Sequence, residues 1–273
     1  MKLYTMPLLA ASILALASCG GNADKADEAG RELFEQASKA LDNNNYEQAR
    51  LLLDSLDSSC KESVALRREA MPLRAKAIEG LSMQLIPQTD EAIANAMMQI
   101  DRLGKEMADA GDKSDPYVVP KAWPKRGDIK AEGVEPRVDR KGFFRLIVKS
   151  PGKIIELNSV KLSEADNSSV STCVLPSDRV AKVEGMELMS LSQEEFAPLA
   201  EWLATHQGAQ LSLSLVGAKG SKDIIISADQ ASMLLAAWQY SRACQELVEA
   251  QIERERLERQ LKIARDQLAR IGS

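Results

Sequence analysis

The sequence has one histidine, His206, and aromatic residues make up only 4% of its 273 positions. A single imidazole is poor material for histidine-centred acid–base chemistry, and sparse aromatics leave little to stack on sugars or bases. Excess positive charge is missing too: 35 Lys+Arg stand against 40 Asp+Glu, a net charge of −5. Nucleic acid as a partner therefore has no electrostatic support. There is no G-x-S-x-G elbow, phosphate-binding loop, H-E-x-x-H or EF-hand loop. Cys60, Cys173 and Cys244 lie far apart with no C-x-x-C spacing, so a metal site is unsupported and no cofactor is expected. They are read as buried apolar thiols, a disulfide between two of them being the alternative. Carboxylate pairs occur at Glu164/Asp166 and Glu194-Glu195, but no motif surrounds them, and the chain is read as a non-enzyme.

What is present begins at the N-terminus. Met1-Lys2 gives a minimal positive start, and Leu3 to Ala17 is apolar apart from Tyr4, Thr5, Pro7 and Ser12. At about 1.5 Å per residue such a run falls short of a hydrocarbon core about 30 Å thick, and it fits the apolar region of a secretion signal. The run ends in Leu16-Ala17-Ser18-Cys19-Gly20, which resembles the lipobox of bacterial lipoproteins. That resemblance implies cleavage before Cys19, a diacylglyceryl group on its sulfur and usually an acyl chain on its freed amine. The alternative is an ordinary signal peptide cut after Ala17 or Ser18. Two or three acyl chains, at about 0.8 kcal/mol per buried CH₂, would hold the chain firmly on a membrane. Residues 1–18 are thus expected to be a signal peptide and residues 19–27 a lipidated tether. The expected address is the bacterial cell envelope. In that family Gly20, rather than Asp, after the cysteine favours the outer membrane.

Residues 28–110 read as helical. Leu33, Ala37, Ala40 and Leu41 line one face of a first helix, and Asp42-Asn43-Asn44-Asn45 makes a polar turn. Tyr46, Ala49, Leu52, Leu53 and Leu56 then recur at helical spacing. The offsets of Leu33, Ala37, Asn45-Tyr46, Ala49 and Leu53 resemble a tetratricopeptide (TPR) helix pair. Leu56 departs from that pattern, which usually has a small residue there, and no second clear copy follows. From Glu62 to Ala110 the pattern stays helical, with kinks or breaks expected at Pro72 and Pro87. Ile93, Ala96, Ile100, Leu103 and Met107 form a heptad seam.

Residues 111–228 read as a β-rich domain. The Pro- and Gly-bearing stretch 111–142 is expected to be loop-rich. Strands are expected at 143–148, 153–157, 170–175, 186–191, 211–216 and 223–226. One helix follows the capping box Ser192–Glu195, with Pro198 pointing to a start nearer Phe196, and it ends at Gly208. His206 is read as a cap that complements the helix dipole rather than as a base. A long helix over 229–271 carries the strongest periodic signal: Ala236, Tyr240, Ala243, Leu247, Ala250, Arg254, Leu257, Leu261, Ala264, Leu268 and Ile271. Spacings that alternate 4 and 3 for so long imply a coiled-coil contact.

The fold class expected is α+β: an N-terminal helical hairpin, an antiparallel helical or coiled-coil stalk, and an inserted, mostly antiparallel β-rich domain with one helix. The final seam could instead pair with a second copy of the chain. The whole plan resembles bacterial envelope lipoproteins that carry phrases like 46–56 and 260–270. Three partner expectations follow. The membrane is held through lipid on Cys19; a protein partner, or self-association, is reached through the C-terminal helix; and nucleic acid is excluded. The role expected is non-enzymatic protein interaction or scaffolding, with a TPR-like peptide-binding or assembly factor as the alternative. An enzyme with a site in the β domain ranks last.

Overall fold

A computed structural model describes residues 22–123, 133–164, 168–208 and 210–271. The fold is α+β, with helices at both ends and antiparallel strands inserted between them. Helices α1 (Asn22–Asp42) and α2 (Tyr46–Ser59) form the expected hairpin, with Asn44 in the left-handed region at φ 56° in its turn. Helix α3 (Val64–Gly104) precedes strands β1 (Met107–Gly111), β2 (Pro116–Pro120), β3 (Gly133–Asp139), β4 (Phe144–Pro151), β5 (Leu157–Ser163), β6 (Ser169–Ser171), β7 (Val180–Val183) and β8 (Met186–Ser192). Helix α4 (Gln193–Thr205), the hairpin of β9 (Leu211–Gly217) and β10 (Gly220–Ile226), and helix α5 (Ala228–Ile271) complete the chain.

The chain forms two compact units. One takes the chain up to Leu85 together with the chain from Leu257; the other is Ile86–Arg256. In the helical unit, Ala37, Ala49, Leu53, Leu56, Leu66, Ala70 and Ala77 share one core. An ion ladder ties α2 to α3 beside it: Arg74 bonds Asp54, Asp57 (2.7 Å) and the Leu53 carbonyl (2.6 Å). Ala75, Glu79 and Ser82 of α3 are withdrawn from solvent, as are Leu257, Leu261, Ala264 and Leu268 of α5. Arg265 pairs with Glu79 at 2.9 Å, joining the two helices.

In the β-bearing unit, Ile93, Ala96, Ile100 and Leu103 on α3 and Ala236 to Arg254 on α5 are withdrawn at the same 3–4 spacing. Asp90 pairs with Arg254, and the Tyr240 ring lies 3.5 Å from where a Cβ on Gly104 would stand. The seam of α5 is thus covered by the chain's own α3. Arg254, the one charge on that stripe, keeps 37% of its side chain exposed. An exposed ion pair is worth about 0–1 kcal/mol, so Arg254→Leu is expected to change stability by less than about 1 kcal/mol in urea unfolding. A larger loss would show that the pair, and not the apolar seam, fixes the register.

Two sheets share the core of this unit. Their orders are β1-β2-β3-β4-β8-β7 and β10-β9-β5-β6, antiparallel throughout. Leu146, Val148, Met189 and Leu191 from the first meet Val160, Leu162, Leu213 and Leu215 from the second, joined by Phe196 and Leu199 of α4 and Leu234 of α5. The half-buried alternation expected over 211–216 is observed in β9. On β10, an edge strand, Lys222 reaches Ser150 Oγ (2.9 Å) and the Pro151 carbonyl (2.6 Å). An inward-reaching charge of this kind discourages edge-to-edge pairing.

Several expectations are corrected. Helix α3 continues through Pro72 and Pro87, so neither proline breaks it. The carbonyls they leave without a helical partner belong to Arg68 and Met83, both at exposed positions. The helix ends at Gly104, six residues before Ala110, and buried Met107 belongs to β1 rather than to the heptad. The stretch 111–142 holds parts of β1, β2 and β3 instead of loop alone. Pro136 is tolerated in β3 because pairing with β2 stops at Val118↔Val138, so its missing N–H faces no neighbour there. Residues 153–156 are not a strand, β5 beginning only at Leu157, and the strand expected over 170–175 shrinks to Ser169–Ser171. Helix α4 starts at Gln193 with its capping box complete, and Pro198 sits inside it at an exposed position.

Candidate functional site

Cys19 and the rest of the lipobox lie outside the described residues, as does Asp166. His206 caps α4: its Nδ1 stands 2.8 Å from the Trp202 carbonyl and its ring stacks on Trp202 at 4.0 Å. Glu195 completes the capping box, accepting from the Ser192 N–H at 2.7 Å, while Glu194 accepts from the Ser192 hydroxyl at 3.0 Å. Both acids serve a helix start, as their position dictates.

No disulfide joins Cys60, Cys173 and Cys244. Cys60 is buried, and burial followed by the nearby Asp27 carboxylate pushes its thiol above the ordinary range. Burial pushes Cys244 up as well, with the Tyr240 hydroxyl acting the other way. Both thiols are thereby held protonated and unreactive. Cys173 is a correction: it is exposed, because the chain leaves β6 at Ser171 before Leu175 turns inward.

Two open grooves lie in the two units. The helical unit has one of about 360 Å³, walled by Leu41, Tyr46, Leu73, Lys76, Gly80 and Met83. The Tyr46 ring lies where a Cβ on residue 80 would stand, 2.3 Å from its Cε1, so Gly80 makes room for it. Its hydroxyl donates to Asn44 Oδ1 at 2.7 Å, which fixes the ring against α3. The β-bearing unit has a groove of about 390 Å³ beside Phe143, Arg145, Arg179, Ser190, Ser192 and Glu194. Arg179 is spoken for, bonding Glu195 at 3.0 Å and the Ser190 carbonyl at 3.3 Å. Among the described lining residues Glu194 is the one carboxylate, so the acid pair that glycoside chemistry requires does not assemble there.

One constellation in the core has the look of chemistry. Ser150 accepts from Lys222 and faces Glu187 across β4 and β8. Ser150 and Glu187 are both fully buried, leaving no approach for a substrate to the hydroxyl. The group is structural. The Glu187 carboxyl oxygens accept from the backbone N–H groups of Ile155 (2.8 Å) and Leu157 (3.1 Å). Those two donors are therefore unavailable to a ladder, and Glu156 between them adopts φ 56°. Sequence reading missed Glu187, although period-2 alternation places it on the face of Met189 and Leu191, where a lone acid is conspicuous.

No family model matches the chain, and no curated protein or solved structure is significantly similar to it. The fold is α+β, with one of these open grooves in each unit.

Proposed function

We propose that this protein is a lipid-anchored lipoprotein of the bacterial cell envelope, on the outer membrane, that works by binding another protein. The observation that carries this reading is Leu16-Ala17-Ser18-Cys19-Gly20, placed after an apolar run too short to span a bilayer. Among the described residues no helix is long and apolar enough to cross a membrane, so in this reading lipid on Cys19 is the membrane contact. The test is detergent phase separation and intact mass of the mature protein, wild type against Cys19→Ser. Wild type is expected in the detergent phase with a mass raised by acyl groups, and Cys19→Ser in the aqueous phase. An unmodified chain beginning at Cys19 would refute the anchor.

The groove of the helical unit supports a partner-binding role on the TPR-like side of the molecule. Leu41, Leu73, Tyr46 and Met83 offer apolar surface, and Asp42 and Lys76 flank it with opposite charges. With Ser38 and Glu79 the lining is about half polar, and such mixed apolar and charged surface is what non-obligate protein-docking sites present. Leu73→Asp is expected to abolish recovery of one specific envelope partner that wild type retains; identical recovery by both proteins counts against this groove.

A further inference from the structure

Arg265, on the part of α5 in the helical unit, stands between two acceptors on α3. Its Nε donates to Glu79 Oε1 at 2.9 Å, and its Nη2 lies 3.6 Å from the Met83 sulfur. The first is a charge-assisted hydrogen bond; the second is weak, because a thioether is a poor acceptor. Met83 is 53% exposed and forms part of the groove wall. An exposed thioether is open to peroxide, and here the position an added oxygen would take is already beside a guanidinium.

We propose that Met83 is an oxidation site whose sulfoxide is captured by Arg265, tightening α5 onto α3 and turning an apolar groove wall polar. The oxidant is hydrogen peroxide. The sulfur lone pair attacks one peroxide oxygen, an S–O bond forms as the O–O bond breaks, and the departing hydroxide takes up the proton to leave water. Sulfur loses two electrons and peroxide gains them. The sulfoxide oxygen is a far better acceptor than the thioether it replaces, so a weak contact becomes a hydrogen bond to a cation. Met71, Met97 and Met98 are equally exposed, at 59%, 56% and 58%, but have no such guanidinium contact among the described residues. Met107, Met186 and Met189 are buried and escape. The device does not depend on the lipid anchor.

The experiment treats the full chain with hydrogen peroxide, maps sulfoxides by peptide mass spectrometry and follows amide hydrogen exchange over 257–271. Sulfoxide at Met83 and exchange about threefold slower there are expected, since a new charge-assisted bond must break before the helix frays. The slowing should vanish in Met83→Leu and in Arg265→Gln treated alike, and reverse with methionine sulfoxide reductase. Both substitutions fall at exposed positions and leave the cores intact. Three results each overturn the proposal: Met83 unmodified while Met71, Met97 and Met98 oxidise; sulfoxide at Met83 with exchange unchanged or faster; or equal slowing in oxidised Met83→Leu.

Discussion

Glu187→Ala is expected to destabilise the β-bearing unit by about 3–5 kcal/mol, because it strands two buried backbone donors at once. The Ile155 and Leu157 N–H groups both end on the Glu187 carboxyl, whose residue has no solvent exposure. Water cannot replace it without opening the core. From the other side the same loop is pinned by β9 and the turn after it: Lys219 N–H donates to the Ile155 carbonyl at 2.8 Å, Ala218 N–H to Glu156 at 3.1 Å. Gly217 fits there only because it lacks a Cβ, which would stand 2.3 Å from the Ile155 carbonyl oxygen. A loop held this tightly cannot shift to find new acceptors. Glu187→Gln keeps one acceptor oxygen but turns an NH₂ toward the second donor, so it should lose about half as much. Trp123, Trp202 and Trp238 all lie in this unit. Urea unfolding followed by their fluorescence reads it directly, and an unchanged midpoint for Glu187→Ala would refute the clamp.

The same clamp shows where sequence reading stops. Segment 153–157, Lys-Ile-Ile-Glu-Leu, has the apolar content of a strand, and nothing local says otherwise. What overrides it is one acid over thirty residues away, and single-sequence periodicity carries no such distance. Signals confined to one element fared better. Two helix starts carry the reciprocal bonds of Ser-x-x-Glu/Gln: Ser192 with Glu195, and Ser227 with Gln230, the latter through bonds of 3.0 and 3.2 Å. The α5 stripe is withdrawn from solvent from Ala236 to Leu268, with only Ile271 exposed. Strands β2 and β3 were lost because Pro116, Pro120 and Pro136 read as breakers. Their actual cost depends on which neighbour each missing N–H would face, and that is a property of the sheet. The grooves were illegible for a similar reason. Leu41, Tyr46 and Met83 meet only after the α1–α2 hairpin packs on α3, and each alone reads as an ordinary helix residue.

In the helical unit the largest effect is expected from Leu56→Ala, a loss of about 3–4 kcal/mol. Leu56 is fully buried in a core that is otherwise rich in alanine: Ala37, Ala49, Ala70 and Ala77 surround the few large side chains Leu53, Leu56 and Leu66. Where a TPR helix pair has a small residue, this chain has a large one, and the alanines of α3 supply the space. Trading Leu for Ala therefore leaves a cavity, and α2 cannot simply move in, because Arg74 spans Asp54, Asp57 and the Leu53 carbonyl and holds the helices at their present spacing. Amide exchange over Tyr46–Ser59 should accelerate by roughly 150- to 700-fold, at 1.4 kcal/mol per factor of ten. A loss below about 1 kcal/mol would mean that the hairpin closes over a small residue as a TPR pair does, since a site that collapses fully forfeits only the transfer energy of the deleted methylenes. The measured cost thus separates two architectures that share Leu33, Ala37, Tyr46, Ala49 and Leu53 but differ in what α3 presents to them.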